Sequence, residues 1–133
     1  NISGAVSLLR AFEFIESIGG YEAMNAHEHE LITYVIERYQ TIKDRVKLVG
    51  CERADICRTG IFSFSVPGIH IADLLESFAE EGIALRAGHH CAEPFMHSIG
   101  VGGTLRMSLY LYNTKQDVDA FFDTFEAILK KLG

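Results

Sequence analysis

Hydrophobic side chains in the first part of the chain recur every three or four residues, which is the period of a helix with one apolar face. This spacing predicts a first helix over 3–18 and a long amphipathic helix over 21–42. Residues 46–49 then predict a short strand, and residues 51–59 a polar surface loop. The apolar residues expected on the buried face of the first helix are Ala5, Leu8, Phe12 and Ile15.

Beyond residue 60 the pattern changes to alternation, which indicates strands with one buried face. Alternating segments over 61–66 and 104–112 predict two strands, and a helical stripe over 71–82 lies between them. A short apolar run, 83–85, predicts a further strand, and residues 86–94 have no period and predict a loop.

A closing helix follows the last strand. Thr114 and Asp117 have the spacing of a capping box, in which each side chain satisfies a backbone N–H of the other residue. The predicted buried stripe of this helix is Val118, Phe121, Phe122, Phe125, Ile128 and Leu129. The order of elements predicts an α+β fold, a small and mostly antiparallel sheet covered by helices.

Composition and charge exclude several functional classes. The 133 residues are 48% hydrophobic and 23% charged, which is typical of one globular domain. No apolar run has the roughly 20 residues that a membrane helix needs, and a net charge of −6 argues against nucleic-acid binding. An odd set of cysteines, Cys51, Cys57 and Cys91, predicts a reducing compartment, and the expected location is the cytoplasm.

The segment 86–94 carries the strongest chemical signal. Cys91 follows His89 and His90 and lies near Arg86, and cationic neighbours favour the thiolate, the nucleophilic form of sulfur. Residue types alone also allow an inert buried thiol, or a zinc site completed by His97.

Arg106 lies on the polar side of an alternating strand. Its guanidinium could face a cleft and hold a carboxylate through two parallel hydrogen bonds. A surface ion pair is the alternative that the residue type leaves open.

Three segments together are similar to a known family. Residues 82–94 (GIALRAGHHCAEP), 105–108 (LRMS) and 110–114 (YLYNT) resemble the C-terminal part of SUF-system, SufS-like group II cysteine desulfurases. These enzymes belong to the class V aminotransferases and depend on pyridoxal phosphate. The resemblance implies the C-terminal small domain of a fold-type I transferase.

The resemblance also implies an activity and site roles. L-Cysteine would be converted to L-alanine, and the sulfur would be carried as a persulfide on Cys91 for iron–sulfur cluster assembly. Arg106 would bind the substrate carboxylate, while Arg86, His89 and His90 would shape the loop. The parent enzyme would be a homodimer.

A departure from the family concerns the cofactor. None of the five lysines lies in a setting like that of the family's cofactor lysine. We therefore expect residues 1–133 to be a single C-terminal domain without the large cofactor domain, with no pyridoxal phosphate bound and no activity alone. A selenocysteine lyase domain and a stand-alone persulfide carrier or interaction module are the alternatives.

A second departure concerns the sulfur acceptor. Some family members have His-Pro-His-Asp where this chain has His70-Ile71-Ala72-Asp73. The second histidine of that motif engages the zinc of a zinc-containing acceptor, and Ala72 cannot ligate a metal. The resemblance therefore implies a SufE-type acceptor protein.

Overall fold

The computed structural model describes residues 1–55 and 59–132, so the predictions made for Cys57 lie outside the described residues. Helices and strands alternate irregularly along the chain. In chain order they are α1 (Ile2–Ser17), α2 (Gly20–Tyr39), β1 (Lys47–Val49), β2 (Ile61–Ser65), α3 (Ile71–Glu80), β3 (Arg86–Gly88), α4 (Glu93–Ser98), β4 (Thr104–Ser108) and α5 (Lys115–Leu132).

The four strands form one sheet in the order β1-β2-β4-β3, and each pair of neighbours is antiparallel. Residues on one face of β2 and β4, Phe62, Phe64, Leu105 and Met107, are buried. The neighbouring positions point to the other face, because side chains alternate along a strand. The predicted α+β fold with an antiparallel sheet is confirmed.

Aromatic rings fill the space between the sheet and the helices. The Phe64 ring lies 5.4 Å from the Phe121 ring, and Phe78 stacks on Phe121 at 5.1 Å. All six residues of the stripe predicted for the closing helix are buried on α5. The capping box is also confirmed, since the Thr114 N–H donates to an Asp117 carboxylate oxygen at 2.7 Å.

The structure corrects the sequence prediction around the candidate loop. Residues 83–85 do not form a strand, and the strand is instead Arg86–Gly88, which was expected to be loop. This edge strand is defined by its pairing with β4. A segment of three residues is too short to show an alternating pattern of apolar residues. The loop ends early as well, because Glu93 and Pro94 begin α4.

Two further boundaries differ from prediction. Helix α2 ends at Tyr39, and the strand expected over 104–112 ends at Ser108. Beyond it, the Tyr110 N–H donates to the Asn113 side chain at 2.9 Å and the Asn113 N–H donates to the Tyr110 carbonyl at 3.0 Å. These hydrogen bonds form a turn. The alternating pattern of apolar residues continues into this turn, although the turn is not part of β4.

Helix α1 forms where predicted, but the prediction that its apolar face is buried is wrong. None of its residues is buried, and Leu8 and Phe12 remain 57% and 47% exposed. The helix packs against α2, and its other apolar residues face outward. No helix within residues 1–55 and 59–132 is long and apolar enough to cross a membrane.

Candidate active site

Two arginines lie side by side on the sheet face opposite the core. Arg86 on β3 and Arg106 on β4 are register partners, which places their Cβ atoms about 5 Å apart. Arg106 is half-buried, and its Nε atom is buried without a hydrogen-bond partner. Adjacent like charges are unfavourable, so an anion placed between these guanidinium groups would be stabilised.

On the face of this arginine pair, the described strands carry no acidic side chain. Ser63 on β2 is the other register partner of Arg106, and Ser65 and Lys47 continue the same face toward β1. The described strands therefore present only cations, small polar residues and a few apolar residues here. This is a cationic surface on a protein with a net charge of −6.

The segment that carries Cys91 connects β3 to α4. His90 and Cys91 both have left-handed backbone conformations, with φ angles of 53° and 59°. Residues other than glycine adopt this conformation at a cost of about 1 kcal/mol or more each. The Ala92 N–H closes the turn by donating to the His89 carbonyl at 2.9 Å, and the Cys91 side chain is exposed.

His90 connects this turn to β4. Its Nε2 atom lies 3.1 Å from the carbonyl oxygen and 3.0 Å from the hydroxyl oxygen of Thr104. Thr104 is fully buried and is the register partner of Gly88. A carbonyl oxygen only accepts hydrogen bonds, so the proton of the neutral imidazole is on Nε2.

Burial lowers the pKa of His90, and the charges of Arg106, Arg86 and His89 lower it further. The hydrogen bond to the Thr104 backbone acts in the opposite direction and raises it. The result is an imidazole that favours its neutral form, since positive groups approach it from β3, β4 and its own loop.

The structure brings together some of the predicted site residues and separates others. Arg86, Arg106 and His90 lie within one electrostatic neighbourhood, and His89 and Cys91 flank His90 in the exposed turn. His97 points elsewhere on α4, 3.6 Å from Glu93. Among the described residues, no group of three or more His, Cys, Asp or Glu side chains lies in position to hold a metal.

Sequence reasoning missed two residues of this region. Thr104 contacts His90 from the start of β4, and Ser63 on β2 lies beside Arg106 as its register partner. The alternation of β2 indicated that Ser63 faces the open side. Its proximity to Arg106 depends on the pairing of two strands that are distant in sequence.

The lysines of the described residues do not fit a Schiff-base site. All five side chains lie in exposed positions, and two have partners on the outer surface. Lys115 pairs with Glu30 at 2.7 Å, and Lys43 donates to Gln40 at 3.0 Å. A Schiff-base lysine is held in an enclosed cofactor site, and the exposed lysines of the described residues do not fit that role.

Comparison with protein families gives a match over most of the chain. The family model named aminotransferase class-V matches residues 1–121. The chain belongs to the class-V aminotransferase family. This membership agrees with the fold and with the predicted resemblance.

Individual relatives of this class-V aminotransferase chain are named cysteine desulfurases. A probable cysteine desulfurase from Staphylococcus epidermidis is 42% identical over 118 residues, which cover 89% of this chain and 28% of that protein. A solved apo structure of a cysteine desulfurase from Thermococcus onnurineus NA1 superimposes with a TM-score of 0.88 at 33% identity, covering 98% of this chain and 32% of the other.

A third relative is the Escherichia coli cysteine desulfurase CsdA, solved in an S-sulfonic acid form. It has a TM-score of 0.71 and 32% identity, and the match covers 87% of this chain and 28% of CsdA. This class-V aminotransferase chain thus spans about 30% of the length of the relatives it matches.

Proposed function

We propose that this chain is the C-terminal domain of a pyridoxal-phosphate-dependent cysteine desulfurase, which converts L-cysteine to L-alanine. The observation that carries the proposal is the arginine pair, Arg86 and Arg106, beside the turn that exposes Cys91. The relatives named cysteine desulfurases support the same activity.

The role proposed for Arg106 is to hold the carboxylate of the amino-acid substrate. Its guanidinium has a fixed fork of donors that matches a carboxylate, and its buried Nε atom has no partner in the described structure. Arg86 adds a second positive charge from the paired strand. Together they would fix the substrate with its side chain directed toward the turn of His90 and Cys91.

The role proposed for Cys91 is nucleophilic. Its thiolate forms a sulfur–sulfur bond with the substrate sulfur while the carbon–sulfur bond of the substrate breaks. The substrate carbon gains a proton and becomes the methyl group of alanine. Atoms balance in this transfer, because a cysteine and the Cys91 thiol give an alanine and a Cys91 persulfide.

Membership of the class-V aminotransferase family implies pyridoxal phosphate in the parent protein. Since the exposed lysines of this chain do not fit that cofactor, the remaining part of the parent is proposed to bind it, and the 133-residue chain alone is proposed to be inactive. Helix α1 supports a larger parent. Apolar residues surround most of its circumference, which is typical of a helix that another part of the protein covers.

The test of the proposed activity uses the full-length parent. Cys91→Ser should abolish alanine formation under multiple turnover and leave no sulfur bound to that position, because an alcohol cannot form a persulfide. Cys51→Ser, a matched change at a second exposed cysteine, should retain activity. Alanine formation by Cys91→Ser at the rate of the wild-type parent would contradict the role of Cys91.

Limited proteolysis tests the proposed architecture. Helix α1 should be cleaved in the isolated chain and protected in the full-length parent, because its apolar side chains would be covered there. Equal cleavage in both proteins would contradict a cofactor domain packed on α1. Alanine formation by the isolated chain with added pyridoxal phosphate and cysteine would contradict its proposed inactivity.

The destination of the sulfur is also proposed from the resemblance. A cytoplasmic homodimer would transfer sulfur from Cys91 to a SufE-type acceptor for iron–sulfur cluster assembly. Ala72 at the start of α3 supports this acceptor class, because it offers no ligand to the zinc of the other class. Sulfur transfer to a zinc-containing acceptor at an equal rate would contradict this choice.

A further inference from the structure

His90 is anchored to the strand that carries Arg106, on the same face of the sheet. Its Nε2 atom lies 3.1 Å from the carbonyl oxygen and 3.0 Å from the hydroxyl oxygen of Thr104, which is fully buried. Thr104 and Arg106 are two residues apart on β4, so their side chains leave the same face and their Cα atoms are about 7 Å apart. The anchor therefore holds the imidazole next to the site proposed for the substrate carboxylate.

One ring nitrogen of His90 remains available. Nε2 carries the proton that is donated to Thr104, and Nδ1 has no hydrogen-bond partner among the residues that the structure describes. The neutral imidazole has a lone pair on Nδ1, and protonation there leaves the Nε2–H bond intact. His90 can therefore become charged without losing its anchor on β4.

The charges around His90 oppose this protonation while the arginine site is empty. Burial lowers the pKa of His90, and the charges of Arg106 on β4, Arg86 on β3 and His89 in the same turn lower it further. Glu93, the nearest carboxylate along the chain, contacts a histidine on its own helix, α4. An anion between the two guanidinium groups would cancel part of their field, and the imidazole would then accept a proton more readily.

We propose that His90 is the third member of this anion site and takes up a proton from the solvent at Nδ1 when a carboxylate binds between Arg86 and Arg106. The inference rests on the proposed function, because it assumes that the arginine pair holds the substrate carboxylate. The Nε2–H bond to Thr104 is retained throughout.

Proton uptake and anion binding strengthen each other in such a site, because coupling between two binding events is reciprocal. A protonated His90 adds a positive charge beside the arginines. The anion affinity should therefore rise as the pH falls through the range in which histidine titrates, about pH 8 to pH 5. A site made of arginines alone would show no such dependence, since guanidinium groups stay charged throughout that range.

The test measures anion affinity at two pH values. Trifluoroacetate is the probe, because its carboxylate stays ionised at both, and its fluorine NMR signal reports binding to the isolated chain at constant ionic strength. Binding should be at least about threefold tighter at pH 5 than at pH 8, the effect of one added charge about 7 Å away in water. Arg106→Ala should remove this binding, and an unchanged affinity in that variant would overturn the proposal.

Variants of two neighbouring histidines identify the group that takes up the proton. His90→Gln carries an N–H donor at a similar reach but cannot be protonated, so its affinity should be equal at the two pH values. His89→Gln is the matched control and should retain the dependence. Equal affinities in wild type, a dependence that persists in His90→Gln, or its loss in His89→Gln would each overturn the proposal.

A measurement on the wild-type protein keeps the proposal testable if His90→Gln does not fold. Long-range proton–nitrogen NMR spectra at about pH 6 should show Nδ1 of His90 becoming protonated as trifluoroacetate is added, while Nε2 stays protonated. A bare Nδ1 at saturating trifluoroacetate would overturn the proposal, and so would absence of binding at both pH values. Failure of the proposed function is distinct, because it appears as missing alanine formation in the full-length parent while the isolated chain binds the probe with the expected pH dependence.

Discussion

The Cα positions of Arg86 and Arg106 face each other across neighbouring antiparallel strands, and no acidic residue of the described sheet lies on the same face. Two adjacent guanidinium groups are unfavourable in the empty protein and favourable once a carboxylate lies between them. Binding of an anion would therefore relieve the repulsion between the two guanidinium groups.

Removing Arg106 should weaken substrate binding in the full-length parent. A charge-assisted hydrogen bond contributes about 1.5–3 kcal/mol, so Arg106→Ala should raise KM for cysteine by about 10- to 150-fold. Lys47→Ala removes a charge from the same sheet face, two strands away, and should leave KM within about twofold. Steady-state kinetics measure both, and equal effects would contradict a specific carboxylate site.

Protonation of His90 should destabilise the isolated chain. Its pKa in the folded protein lies below the ordinary value of 6.5, so the unfolded state takes up the proton first as the pH falls. The stability gained from the neutral imidazole is complete above pH 6.5 and is lost as the pH falls through the lowered pKa. Urea unfolding of wild type and His90→Gln should converge over that window, and a constant difference would contradict the lowered pKa.

The aromatic core should be sensitive to truncation at its centre. Phe64 is fully buried and contacts rings from β2, α2 and α5, so Phe64→Ala should lower the free energy of unfolding by about 3–5 kcal/mol. Phe14→Ala removes an exposed ring from α1 and should cost at most about 0.5 kcal/mol. Denaturant titrations compare the two, and similar losses would place the core elsewhere.

The capping box of α5 should contribute at neutral pH and fade in acid. Thr114→Ala should lower the free energy of unfolding by about 1 kcal/mol. Hydrogen bonds from the Thr114 backbone and hydroxyl, and from Asn113, lower the pKa of Asp117 below 3.8. The contribution of this carboxylate is therefore complete above pH 3.8 and is lost as the pH falls through the lowered pKa.

An Asp117→Asn variant provides the comparison for the cap. The difference in unfolding free energy between this variant and wild type should be largest near neutral pH and should shrink below pH 3.8. A difference that persists unchanged into strong acid would show that the charge of Asp117 is not what stabilises the helix end.

The sequence predicts those parts of the fold that repeat with a period. Helix α5 has 18 residues, and its buried stripe is long enough to establish both the helix and its inner face. Strand β2 alternates clearly for the same reason. Strand β3 has three residues, and it is defined by hydrogen bonds to β4, which no local pattern encodes.

The candidate site shows the same division. Residue types alone make Cys91, Arg106 and the two histidines candidates, and their proposed roles come from the family resemblance. The anchor from His90 to Thr104 joins residues 14 positions apart in the sequence, and it depends on how the turn folds back on the sheet. The predicted burial of α1 is wrong because periodicity indicates an apolar face but does not show which part of the protein covers it.

Alternation along β2 and β4 gives the two sides of one sheet different tolerance to mutation. Phe64 and Leu105 contribute to the folding energy, and exchanging either endangers the whole domain. Ser63 and Arg106 lie one residue away on the opposite side, where the anion site is proposed and where we expect exchanges to cost little folding energy. Descendants of this sequence can therefore change what they bind on one side while selection preserves the other, so that specificity and foldability evolve independently.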